Sequence, residues 1–498
     1  MNVNPITRLD YPDPDVIRVE DTYYMVSTTM HFMPGCEILQ SFDLVHWEHA
    51  TYVYETLDHT DAQQLKSGQN IYGQGMWAAS LRYHEGRFYI CFVANDTRKT
   101  YLYTSEKIDG PWKKQLIEGF YHDGSLLFDE DGRNYIVYGN DEIWITELNE
   151  DLTAPKKDGL HRLLVSDHKN PKLGYEGSHI QKINGYYYIF LIHSLRDRWM
   201  RTEACFYSDS LEGEFTGGDV LCDDRGYCGQ GVAQGGIVDT PDGKWYAMLF
   251  QDSGAVGRIP ILLPVTWKDH FPVFGQNGHV PEEIEVHSTR PGYIYQPLVG
   301  SDDFCNGLLP RWQFNHDPDP RYYHLDALQG TYTITTREVC TELTQAVNTL
   351  TQRMSYPSCA AEVTVDASAL KEGDVAGLCA LQGCYAAVGI TKHHGKYEVL
   401  MLDKKEDGIL DMTEGTVVES HQMDFRLEAD FCNMKDEARC YYRVNKGDWL
   451  PIGTVHKLYF KLDHFTGCRF GLFCYAAEET GGSACFRDFK YYDVDEIS

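Results

Sequence analysis

The sequence has few basic residues, no paired-cysteine motif and no long apolar run. Its 44 Lys and Arg stand against 74 Asp and Glu, a formal charge of −30. Nucleic acid and anionic membrane surfaces both demand clustered cations, so neither is expected as a partner. No apolar stretch approaches the length of a bilayer span. The opening MNVNPITRLDYPDPD lacks the basic and apolar regions of a secretion signal. The fifteen cysteines are odd in number, scattered and without a Cys-x-x-Cys pair. They read as small buried free thiols rather than a disulfide framework, and a cytoplasmic location is expected. Helical signals are nearly missing too, because few apolar positions recur at i, i+3, i+4 over any long window.

What is present is aromatic and repetitive. There are 34 Tyr, 22 Phe and 9 Trp in 498 residues, a length that allows two or three domains. The run EDTYYMVST (20–28) recurs as EGRFYICFV (85–93), DGRNYIVYG (131–139), NGYYYIFLI (184–192) and DGKWYAMLF (242–250). Each copy is a tight turn followed by an aromatic-rich strand. A second element, SFDLVHWE (41–48), SEKIDGPWK (105–113) and SDSLEGEFT (208–216), suits an outer strand of a repeated sheet. The anchor tyrosines Tyr24, Tyr89, Tyr135, Tyr188 and Tyr246 are spaced by 65, 46, 53 and 58 residues. Units of that size made of strand and turn are propeller blades, and five copies predict five blades.

Counting back from each anchor gives a site. Asp13 lies eleven residues before Tyr24, and Trp77, Asp123, Glu176 and Gln234 each lie twelve before theirs. If the first strand of every blade lines the central channel, these positions converge at one mouth of it. Taken singly, Asp13 and Asp123 read as turn residues, Glu176 as a surface glutamate and Trp77 as core; Asp15 is expected to be solvated or capping. The shared register argues otherwise. Grouped acids repel and gain the fold no stability, which leaves a metal site or acid/base catalysis. A calcium site would want more oxygen ligands, often from one loop. Carboxylates beside a tryptophan suit a sugar, whose C–H face meets the ring. An inverting glycosidase holds an acid and a base roughly 6.5–9.5 Å apart, a gap that opposite walls of a narrow channel could supply.

At these residues the sequence resembles glycoside hydrolase family 43, five-bladed propeller enzymes acting on xylans and arabinans. The segments that carry the resemblance are YPDPDVIRVEDTYYMVSTT, MWAASLRYHEGRFY, HDGSLLFDEDGRNYIVYG, GYEGSHIQKINGYYYIF and GGIVDTPDGKWYAMLF, within about residues 4–290. The resemblance implies that Asp13 is the general base, that Glu176 is the general acid, and that Asp123 tunes and orients that acid. It implies inversion at the anomeric carbon. GAVGRIPILLPVTW resembles a segment whose arginine reaches the innermost sugar, which points to Arg258. Many members carry an axial histidine, often with a calcium ion or water cluster. Gln234 stands in its place, which argues against bound metal, and no cofactor is expected. MWAAS also departs from the commoner family pattern at the pocket rim.

From about residue 300 the tyrosine repeat stops. Short strand-like runs such as GTYTITT, CAAEVTVDA, KYEVLML and FRLEADF predict an antiparallel sandwich over residues 301–498 after a propeller over 1–300. This half resembles the concanavalin-like jelly roll of the family's β-xylosidase branch, which caps the pocket and implies attack at chain ends. LQGCYAAVG (381–389) is the candidate capping loop; a module that tethers polymer is the rival reading. TTMHFMPGC (28–36) is expected on the rim, with Met30 touching substrate beside His31 and Met33. Release of β-D-xylose by an exo-acting, inverting enzyme is the leading expectation, with α-L-arabinofuranosidase a close second that gains some weight because aromatics are commoner on that rim in xylosidases. The expectation is an all-β glycosidase that takes small oligosaccharides of hemicellulose, and a homo-oligomer is compatible with it. A propeller that only binds is the alternative, against which the three carboxylates in register speak.

Overall fold

A computed structural model describes residues 2–413 and 415–493. Among them there is no α-helix, only four single-turn 3-10 segments between strands. Five four-stranded antiparallel sheets follow one another along the chain, each a simple up-and-down meander. Their innermost strands are Asp15–Val19, Met76–His84, Ser125–Phe128, Glu176–Ile183 and Ala233–Asp239. The repeated serine-containing element proves to be the turn into the outermost strand, as between Gly35–Ser41 and Glu48–Tyr54.

The anchor tyrosines explain why the repeat exists. Each lies on the second strand of its blade and packs into the cleft shared with the next. Tyr24 joins the cluster between the first and second blades, Tyr89 that of the second and third, and Tyr135 that of the third and fourth. Tyr188 joins the fourth and fifth, and Tyr246 packs back against the first blade with Tyr23, Met25 and Trp47. A large ring on one face of every second strand thus fills one interblade core, burying some 150–250 Å² of side chain each time. The circle closes without a shared strand. Arg18 pairs with Asp239 at 2.5 Å, the Tyr11 amide donates to the Arg258 carbonyl at 3.0 Å, and Asn2–Val3 pairs with Glu283–Ile284.

The second half is a sandwich of two larger sheets, one of nine strands and one of seven. It has its own core, including Trp312, Phe314, Tyr332, Phe425, Phe470 and Phe486. The boundary is interlocked. Phe32–Met33, from the first blade, pairs with Gln313–Asn315 and so forms the edge of the nine-stranded sheet. Across the same boundary Arg353 pairs with Glu37 at 2.8 Å, both nearly fully buried. All fifteen cysteines are free.

Candidate active site

Asp13, Trp77, Asp123, Glu176, Gln234 and Arg258 line a single cavity of about 600 Å³ at one mouth of the propeller channel. Their register differs subtly from equal spacing. The strand partners of the anchor tyrosines are Ile17, Arg82, Leu127, Gln181 and Val238. Asp13, Asp123 and Gln234 stand four residues before those partners, whereas Trp77 and Glu176 stand five before. Longer hairpin turns in the third and fifth blades conceal the offset. Gly177, not Glu176, is therefore the true counterpart of Asp123. The backbone agrees, because Asp13, Asp123, Gly177 and Gln234 all have φ between 48° and 65°. Left-handed backbone at the start of the inner strand, just before it at Asp13 and Asp123 and at its second residue at Gly177 and Gln234, marks each of these positions; outside glycine, aspartate is among the types that tolerate it best.

Asp13 is held from two sides. Its Oδ1 accepts from Arg258 Nη1 at 2.8 Å and its Oδ2 from Thr28 Oγ1 at 2.7 Å. Lone pairs remain on both oxygens, so the carboxylate can still accept a proton from water. Asp123 is buried and accepts from the Gly177 amide at 2.9 Å. Burial, reinforced by Glu176 and Asp13, lifts its carboxyl to about 6, against the pull of His122 and that amide. His122 lies 3.6 Å from Asp123 Oδ2 and 3.7 Å from Glu176 Oε2. Chiefly because of Asp123, and despite burial, its imidazole is raised to about 9. Glu176, about one-fifth exposed, accepts from Asn140 Nδ2 at 2.8 Å. The trio thus holds an imidazolium between two carboxyl groups at neutral pH.

Several functional positions were not singled out in the sequence. His122 immediately precedes Asp123, and Asn140 and Asp252 end the second strands of their blades. They lie five and six residues beyond Tyr135 and Tyr246, so the same repeat could have found them. Arg201 opens the next strand of the fourth blade and pairs with Asp252, which also lies 3.5 Å from Arg258 Nε. Trp199, 45% exposed, stands on the rim.

Three expectations are corrected. Met30 is buried and does not line the cavity, because its backbone bridges to Met76 and its segment turns into the sandwich. His31 and Met33 are buried there too, so the rim argument for an arabinofuranosidase falls away. Asp15 is neither solvated nor capping. It is buried in the channel, bonded to Arg82 at 2.7 Å and to the Leu81 amide at 2.7 Å. The segment 381–389 does not reach the cavity either. Met434, Phe460, Lys461, Leu462 and Phe465 are the sandwich residues in its wall.

Comparison with known proteins accounts for both halves. Residues 3–272 match the glycosyl hydrolases family 43, and residues 301–492 match the β-xylosidase C-terminal concanavalin A-like domain. A β-xylosidase of Formosa agariphila is 26% identical over 99% of this chain and 89% of its own. A xylosidase/arabinosidase of Butyrivibrio fibrisolvens is 24% identical over 99% of both chains. The solved structure of a bifunctional GH43-CE protein from Bacteroides eggerthii superposes with a TM-score of 0.93 at 42% identity, over all of this chain and 64% of that one. This chain therefore spans somewhat less than two thirds of that bifunctional protein. With the cavity, the fold and both matched segments in agreement, the chain belongs to glycosyl hydrolases family 43 and is a glycosidase.

Proposed function

We propose that this glycosidase is exo-acting and inverting, and that it removes β-D-xylose from the non-reducing ends of hemicellulose oligosaccharides. The observation that carries this is the size and walling of the cavity. A volume of about 600 Å³, walled on one side by the sandwich, suits one or two sugar rings and not a continuous polymer chain. In this reading Glu176 protonates the departing oxygen while Asp13 takes a proton from the water that attacks the anomeric carbon from the opposite face. His122 lies between Asp123 and Glu176, and Arg258 fixes the position of Asp13 through its Nη1. Trp77, 5.4 Å from Phe465 between ring centres, supplies an apolar wall for the sugar's C–H face.

Release of α-L-arabinofuranose is the second reading. It is favoured by relatives described as a xylosidase/arabinosidase and as a non-reducing end α-L-arabinofuranosidase of Bacteroides ovatus, the latter 26% identical over 66% of this chain. The reaction as written needs no metal. His122, Asp123 and Glu176 offer ligand atoms within 4.8 Å of one another, three groups against the six to eight oxygens that calcium takes. Fifteen free thiols favour a reducing compartment.

The deciding experiment compares aryl β-D-xylopyranoside and aryl α-L-arabinofuranoside, wild type beside Asp13→Ala, with the released anomer followed by NMR. Turnover of the xyloside that vanishes in the variant and yields the α-anomer first is the expected result. Retained anomeric configuration, or no turnover of either glycoside, overturns the reading.

A further inference from the structure

Asp10 lies outside the cavity yet is bonded to both domains that form it. Its Oδ1 accepts from the amide of Arg258 at 2.7 Å and its Oδ2 from the amide of Gly467, on the sandwich, at 2.8 Å. The residue is buried, Arg353 and Arg469 act on its charge, and Arg353 Nε donates to its carbonyl at 2.8 Å. The packing has no slack. A Cβ on Gly257 would run into Asp10 Oδ1, and one on Gly467 would run into the Val256 carbonyl. Nearby, the Cys468 amide donates to the Ala255 carbonyl at 2.8 Å.

Two residues before Gly467 is Phe465. Its ring centre lies 4.2 Å from the Arg258 guanidinium, and Phe250 of the propeller lies 4.8 Å from the same group. A guanidinium between aromatic faces is attracted by both and loses freedom to swing. Its Nη1 is the donor to Asp13. The chain of contacts therefore runs from the sandwich backbone through Asp10 to the Arg258 backbone, and from the sandwich ring through the guanidinium to Asp13.

We propose that Asp10 is a positioning residue for the reaction: it fastens residues 465–467 of the sandwich to Arg258, so that Phe465 holds the guanidinium against Asp13. The second domain then sets the charge partner of the base as well as walling the cavity. This rests on Asp13 being the general base.

The test uses the full chain and the pH dependence of kcat/KM on an aryl glycoside. Besides Arg258 and Thr28, the groups facing Asp13 are Asp123, His122 and His179, and none of them is altered. Asp10→Asn keeps the shape but sets an NH₂ against one of the two amides. A fall of about tenfold or more in kcat/KM is expected, with the acid limb moved to higher pH as Asp13 loses its cation. Phe465→Leu is expected to move the same limb, and Phe465→Tyr to restore it. Loss of activity with an unmoved acid limb in Asp10→Asn and Phe465→Leu overturns the proposal, because general destabilisation gives that result. If Asp10→Asn does not fold, Phe465→Leu against Phe465→Tyr decides alone. Asp13→Ala run alongside separates the two failures: turnover retained there removes the base assignment itself.

Discussion

The amide of Gly177 donates to Asp123 Oδ2 over 2.9 Å, so the residue that follows Glu176 is fastened to the carboxylate facing it. The bond makes the spacing of the two acids a backbone property rather than a side-chain accident. It is available because Gly177 shares the left-handed backbone of Asp123 and Asp13, with φ of 65°. The fourth blade therefore offers a backbone amide where the first and third offer carboxylates. Glu176, one position earlier, reaches the same point from the side, where Asn140 and His122 meet it.

His122 gives stability a definite dependence on pH. Its folded-state pKa is raised to about 9, chiefly by Asp123. A raised value means that its contribution is fully present below the unfolded value near 6.5 and is lost as pH rises through 9. Stability is expected to fall across that window by up to about 3 kcal/mol, read as a falling melting temperature. His122→Gln should flatten the fall. A wild type with a level melting temperature from pH 6.5 to 9 would remove the imidazolium from the site.

Gly177→Ala should damage the site where a similar change elsewhere does not. The added Cβ would meet Gln234 Cγ at 2.7 Å on top of the positive φ. Gly185, at a hairpin turn with φ of 85°, faces open space, and a methyl there would meet nothing within 4 Å. Strain alone at either glycine costs about 1–3 kcal/mol. Gly185→Ala is thus expected to lower stability and keep kcat, whereas Gly177→Ala loses both. Thermal melts with kinetics on each variant check this, and equal kcat values in the two would refute it.

How far the sequence reached, and where it stopped, follows from what a repeat records. Five blades were visible because each interblade core needs one large ring, and Tyr24 through Tyr246 supply it at readable intervals. Asp13, Asp123, Glu176, Gln234, Trp77 and Arg258 meet in one cavity because strand register is carried by the same repeat. The one-residue offset of Glu176 was hidden, since a longer turn and a bulge cancel in the count. Residues contributed by the sandwich had no such ruler. Phe460 and Phe465 lie more than 200 residues beyond Tyr246, and only tertiary packing brings them to Trp77 and Arg258. Met30 failed for a related reason: its segment looks like a loop but is drawn into the sandwich sheet.

The domain boundary can be probed without touching the cavity. Burial opposes the charge on Glu37, but Arg353 at 2.8 Å and His49 at 3.1 Å outweigh it and hold the carboxyl below its usual range. Arg353→Met strands a buried carboxylate, and a loss of about 3–5 kcal/mol is expected. Adding Glu37→Gln should recover much of it. A double variant no more stable than Arg353→Met, measured by thermal melting, would show that the pair is not what the boundary depends on.

Chelation provides a simple check on the protonic reading. If His122 is a cation rather than a ligand, dialysis against EDTA should leave kcat/KM within error of the untreated enzyme. Loss restored by a divalent ion would instead place a metal among His122, Asp123 and Glu176.

The roles of the two outer acids separate by leaving group. A departing phenolate with electron-withdrawing substituents needs little protonation, whereas the alkoxide of a sugar needs it fully. Glu176→Ala is therefore expected to cost about 10²–10⁴ on xylobiose or an alkyl glycoside, and far less on an activated aryl glycoside. Asp13→Ala removes the acceptor for the attacking water, a step common to every substrate, and should cost the same on all of them. The measurement is a plot of log kcat against leaving-group pKa for each variant: steep for Glu176→Ala, and displaced downward without added slope for Asp13→Ala. Parallel lines for the two variants would mean that Glu176, held by Asn140 and His122, is not the proton donor.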